Sequence, residues 1–124
     1  MARPDAVPNV VVILADDTGY GDPPSFDPRS ATPMPHLDDL ARDGVRFTDA
    51  HSTSALCTPS RYGLLTGRYH WRTPRPHPLV MPYEPPIVEP ERATLPRLLA
   101  DAGYGTACVG KWHLGFRYPR RGED

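Results

Sequence analysis

Three short polar clusters carry residue types that can do chemistry together. The first is Asp16-Asp17. Adjacent carboxylates repel unless a cation sits between them, and hard oxygen ligands suit Ca²⁺ or Mg²⁺. The second is Cys57-Thr58-Pro59-Ser60-Arg61. A helix opening at Pro59 puts Cys57 beside free N–H donors and a positive dipole end. Such a place favours both an oxyanion and a reactive sulfur nucleophile. Arg61, one turn in, supplies a permanent planar cation to a tetrahedral anion. The third is Lys111-Trp112-His113. In an extended segment Lys111 and His113 share a face, and a cation beside a titratable imidazole suits anion binding and proton transfer to a leaving oxygen. Singly, each cluster has a plainer reading: a solvated turn, a small buried cysteine with a surface arginine, a solvated Lys-x-His pair. Jointly they describe metal-binding carboxylates, a nucleophile at a helix start, and cations around an oxyanion.

Elements must hold those clusters in place. Val10-Val11-Val12-Ile13-Leu14 is a continuous apolar, β-branched run that ends at Asp16-Asp17, the pattern of a strand covered on both faces. The Pro- and Gly-rich stretch 18–35 reads as a loop. Leu37, Leu40 and Ala41 fall at i, i+3, i+4, with Gly44 placed to end a helix, and Val45-Arg46-Phe47-Thr48 reads as a short strand. A second helix runs from Pro59 through Leu64 and Leu65 to Gly67. The proline-rich stretch Trp71 to Pro90 is expected to lack regular structure. Thr94 caps a third helix through Leu95, Leu98, Leu99 and Ala102, ending at Gly103. Thr106-Ala107-Cys108-Val109 then reads as a buried strand leading into Lys111 and His113. Strands alternating with helices predict an α/β fold, a mostly parallel central sheet flanked by helices, with ligands beyond the carboxyl ends of its strands.

Composition narrows the class. The chain has 124 residues, the size of one small domain, and 14 Lys+Arg against 15 Asp+Glu give a net charge of -1. No charge excess favours nucleic acid or an anionic membrane. With 17 prolines and 10 glycines, a helical bundle or coiled coil is excluded. The apolar run Val10 to Ala15 is far short of the roughly 20 residues of a spanning helix. The start, Met1 to Asp5, lacks an apolar leader core, which leaves localisation open. Cys57 and Cys108 are too few for a disulfide scaffold, and Cys108 reads as a buried structural thiol.

At these residues the sequence resembles the type I, formylglycine-dependent sulfatase family of the alkaline phosphatase-like superfamily. The resemblance is carried by Leu14 to Asp22 and by Leu37 to Gly44. It is strongest in Cys57-Thr58-Pro59-Ser60-Arg61 with Thr66-Gly67-Arg68, and ends in Gly110-Lys111-Trp112-His113-Leu114-Gly115. It implies a sulfuric ester hydrolase, arylsulfatase-like, in which a formylglycine-generating enzyme oxidises Cys57 to Cα-formylglycine. One hydroxyl of the hydrated aldehyde attacks sulfur and expels the alcohol. The second lets sulfate leave by elimination. Asp16, Asp17 and the Cys57-derived oxygen would hold one Ca²⁺, Arg61 would steady the hydrate, Lys111 would grip sulfate, and His113 would serve as base. His36, His51, His70 and His77 have no role in that pattern.

The sequence departs from the family in length. Family catalytic domains are far longer and draw an Asp-Asn pair, another His and another Lys from their later part. Residues 1–124 are therefore expected to be the incomplete amino-terminal part of a sulfatase catalytic domain. Two rivals stand beside an active sulfatase. One is a phosphate or phosphonate ester hydrolase of the same superfamily. The other is a non-catalytic fragment or half of a split enzyme.

Overall fold

Proline starts the first helix, and glycine ends the first two. Residues 7–75 and 77–119 are described by a computed structural model of the chain, and they divide into two compact units, Met1–Thr48 and Asp49–Asp124. The Met1 to Asp5 start lies outside the described residues, as does Pro76 within the proline-rich stretch.

In the first unit the loop ahead of the helix is folded on local bonds. The Gly19 N–H donates to Asp22 Oδ2 at 2.7 Å, and the Phe26 N–H donates to the Pro23 carbonyl at 2.9 Å. Helix α1 spans Pro35–Asp43. Pro35 suits a first position that needs no N–H, Asp38 lies in the first turn and Arg42 in the last, each favourable to the helix dipole. The Gly44 N–H closes the end on the Leu40 carbonyl at 2.9 Å. Asp38 Oδ1 accepts from the Ser25 N–H at 2.9 Å, tying the loop to α1.

In the second unit α2 spans Cys57–Thr66 and α3 spans Leu95–Asp101, with a single 3₁₀ turn at His70–Arg72. That turn begins just ahead of the proline-rich stretch and runs into it. Helix α2 starts two residues earlier than the proline suggested. Pro59 therefore sits inside the first turn, where a missing N–H costs no intrahelical bond. It ends at Gly67, φ 64°, the left-handed cap. Thr94 caps α3, its hydroxyl accepting from the Arg97 N–H. The core of this unit is Tyr62, Val80, Ile87 and Leu114, with Leu65, Val88 and Trp112 packed against it.

The expected strands are corrected. Among the described residues no strand forms at 10–14, 45–48 or 106–109. A strand exists only through hydrogen bonds to a neighbour, and a sheet-forming sequence without one stays extended and uncovered. Val11 and Ile13 are 80% and 86% exposed, and Val109 is 97% exposed. Cys108, read as a buried thiol, is exposed. Among the described residues no helix is long and apolar enough to cross a membrane.

Candidate active site

Leu56 is extended at φ -114°, ψ 149°, and the chain turns helical at Cys57. The first backbone bond of α2 is Ser60 N–H to the Leu56 carbonyl, 3.1 Å. The amides of Cys57 and Thr58 thus lie ahead of the helical ladder, and Leu56 provides no side-chain cap. Small hydroxyl residues upstream clamp this start. Ser60 Oγ donates to the Ser54 carbonyl at 2.6 Å, and Thr53 Oγ1 to the Pro59 carbonyl at 3.2 Å. Thr53 also fills the space beside Gly63, where a Cβ would collide with it. Cys57 is free and half-buried.

Two long-range bonds bring the 111–113 segment to this helix. Arg61 Nη1 donates to the Lys111 carbonyl at 2.6 Å, and the Thr58 hydroxyl donates to the His113 carbonyl at 3.0 Å. His113 is left-handed at φ 57°. Its Nε2 bonds the Val80 carbonyl at 3.0 Å, while its buried Nδ1 has no partner among the described residues. Leu114, fully buried, and the Trp112 indole N–H bonded to the Gly115 carbonyl at 2.8 Å seat the segment in the core. Four sequence-identified residues, Cys57, Arg61, Lys111 and His113, therefore fall on two segments that are directly bonded to each other.

The far end of α2 is anchored by Glu89. Its carboxylate meets Arg68 at 3.4 Å and Arg92 at 3.1 Å, and accepts from the Tyr62 hydroxyl at 3.4 Å. The Arg92 side-chain bond, with the charges of Arg92 and Arg68 adding, holds this carboxyl below the ordinary glutamate range against the opposing effect of burial. Neither Thr58 nor Glu89 stood out as functional in the sequence. Thr58 sits inside the signature, but its partners are 22 and 55 positions away.

Asp16 and Asp17 belong to the first unit, at a bend where Asp17 takes φ 56°. Ca²⁺ takes roughly six to eight oxygens. Among the described residues no group of three or more His, Cys, Asp or Glu is gathered to hold a metal. Two carboxylates alone do not make a calcium site.

Comparison with known proteins follows the same residues. A family model described as Sulfatase matches residues 8–123. The chain is 44% identical to N-acetylgalactosamine-6-O-sulfatase of Bacteroides thetaiotaomicron, with 94% of the chain and 22% of that protein covered. It is 45% identical to arylsulfatase A of Bos taurus, covering 87% of the chain and 21% of that protein. It is 43% identical to steryl-sulfatase of Mus musculus, covering 87% of the chain and 18% of that protein. The chain thus spans about a fifth of the length of the curated relatives it matches.

Proposed function

The chain belongs to the sulfatase family, and from that premise we propose that it carries the nucleophile-bearing part of a sulfuric ester hydrolase. The observation that supports this most is the meeting of two motifs. Cys57 opens α2, and the Lys111–His113 segment is hydrogen-bonded to the first two turns of that helix. A nucleophile, a guanidinium, an ammonium and an imidazole on two bonded segments suit a tetrahedral anion that must be attacked and then released.

The reacting group is Cys57 after oxidation to Cα-formylglycine. A plain ester of sulfate on a serine oxygen would need water to attack a hindered, anionic sulfur. A hydrated aldehyde avoids that second attack. One hydroxyl oxygen forms the new bond to sulfur as the S–O bond to the alcohol breaks, with the proton passing to the leaving alcohol. The remaining hydroxyl then loses its proton, its electrons close the C=O bond, and sulfate departs. His113 Nδ1, buried and without a donor, suits reception of that second proton. Arg61 orients the hydrate and Lys111 binds sulfate oxygens. Asp16 and Asp17 would be carboxylate donors to a Ca²⁺ that needs several further oxygens, and no step is drawn through it.

Co-expression with a formylglycine-generating enzyme tests the reading. The Cys57 peptide is expected to lose about 18 Da, the change from CH₂SH to CHO. A peptide found wholly as thiol sinks it. The ester class is tested in a chimera in which residues 8–119 replace the matching stretch of arylsulfatase A. Aryl sulfate is expected to turn over faster than aryl phosphate, and the reverse preference points to a phosphate ester hydrolase.

A further inference from the structure

Thr58 is 1% exposed. A buried hydroxyl is normally satisfied, and this one is satisfied twice. It donates to the His113 carbonyl at 3.0 Å and accepts from the Val80 N–H at 3.2 Å. The Val80 carbonyl, in turn, meets His113 Nε2 at 3.0 Å. Three residues, 58, 80 and 113, thus close a ring of hydrogen bonds through the Thr58 hydroxyl, the Val80 backbone, and the imidazole and carbonyl of His113.

That ring has a chemical consequence. A carbonyl oxygen only accepts, so Nε2 must carry the proton, and in the neutral imidazole Nδ1 then bears the lone pair. Nδ1 is buried and has no partner among the described residues. His113 also holds φ 57°, a region sparsely used by residues other than glycine and kept only where the surroundings over-determine it. Here its carbonyl is held by Thr58 and its ring by Val80.

We propose that Thr58 is a positioning residue: its hydroxyl, next to the reacting residue 57, fixes His113 in the Nε2-protonated tautomer and leaves Nδ1 as the acceptor. This deepens the reading of His113 as the base and rests on it. Thr58 works through the backbone of Val80 and His113 and touches no substrate. The position therefore asks for a hydroxyl, and an isosteric apolar side chain would not serve.

Two-bond ¹H–¹⁵N correlation spectra of the ¹⁵N-labelled 124-residue chain read the tautomer directly, in mildly alkaline buffer where imidazoles are neutral. The His113 pattern of the Nε2–H form is expected in the native chain and in Thr58→Ser. Thr58→Val is expected to lose it and give the averaged pattern of an imidazole exchanging freely between tautomers. A native His113 in the Nδ1–H form overturns the proposal, and so does a Thr58→Val pattern identical to the native one. Should Thr58→Val fail to fold, the through-bond coupling between His113 Nε2 and the Val80 carbonyl decides on the native chain: its presence supports the ring and its absence overturns it. None of these readouts depends on conversion of Cys57, so failure of the sulfatase reading shows separately, in the mass of that peptide.

Discussion

An alkylating reagent offered to both free cysteines is expected to reach Cys108 first, because Cys108 is exposed and Cys57 is half-buried at the head of α2. Peptide mapping after limiting iodoacetamide checks this, and faster labelling at Cys57 would mark an activated thiol that exposure alone does not explain. A second residue-level expectation concerns Glu89. Its carboxyl is held below the ordinary value, first by the Arg92 bond, so the folded state binds its proton less readily than the unfolded state. The contribution is fully present above the ordinary glutamate value of 4.5 and is lost as pH falls below it through the lowered folded value. Glu89→Gln is expected to flatten that acid limb in a series of urea midpoints. The change will be small, since the side chain is still 38% exposed. An unchanged acid limb would place the stabilising charge elsewhere. At this scale residue type was enough to single out Cys57, Arg61, Lys111 and His113, which lie on two hydrogen-bonded segments. It was silent on Thr58 and Glu89, whose importance lies in partners far along the chain.

Helix α2 approaches the Ser52–Ser54 stretch so closely at Gly63 that a Cβ would overlap the Thr53 side chain. Gly63→Ala is expected to destabilise the second unit by about 1–3 kcal/mol through overpacking. Thr53→Gly in the same chain should recover part of that loss, and a double-mutant cycle by urea unfolding measures the coupling. Additive effects would show that the two residues are not in contact. The element-level reading of the sequence succeeded and failed for one physical reason. Helices bond within themselves, so local signals sufficed at Gly44 after α1, Gly67 after α2 and Thr94 ahead of α3, although α1 begins at Pro35, the last residue of the expected loop. Strands bond to other strands. Val10 to Leu14 has the composition of a buried strand, yet each of its residues is exposed by 45% or more. What completes a strand is a neighbour, and a local pattern cannot supply one.

Across the whole molecule the donor inventory decides what the 124 residues do by themselves. Lys111, Arg61 and His113 share bonded segments with Cys57 in the second unit, and on the proposed reading Lys111 and Arg61 are the cations a sulfate monoester would meet. Turnover asks for more. A proton donor at the leaving oxygen typically contributes about 10²–10⁴-fold, and a coordinated metal adds a further large factor by stabilising charge on the ester oxygens. Among the described residues no metal-holding group of three is gathered, and Asp16 with Asp17 offers only two carboxylates where Ca²⁺ takes roughly six to eight oxygens. Calorimetry on the 124-residue chain is therefore expected to find Ca²⁺ binding no tighter than about millimolar, the weakest range of protein sites. Micromolar affinity would mean that the donors are sufficient without further chain. The same chain, with Cys57 converted and Ca²⁺ present, is expected to give no measurable hydrolysis of an activated aryl sulfate. Steady turnover abolished by Lys111→Ala or His113→Ala would overturn that and make these residues a minimal sulfatase. Turnover that appears only on adding a separate polypeptide equivalent to the remaining four fifths of a relative would instead assign the proton donor and the missing oxygen ligands to that second chain.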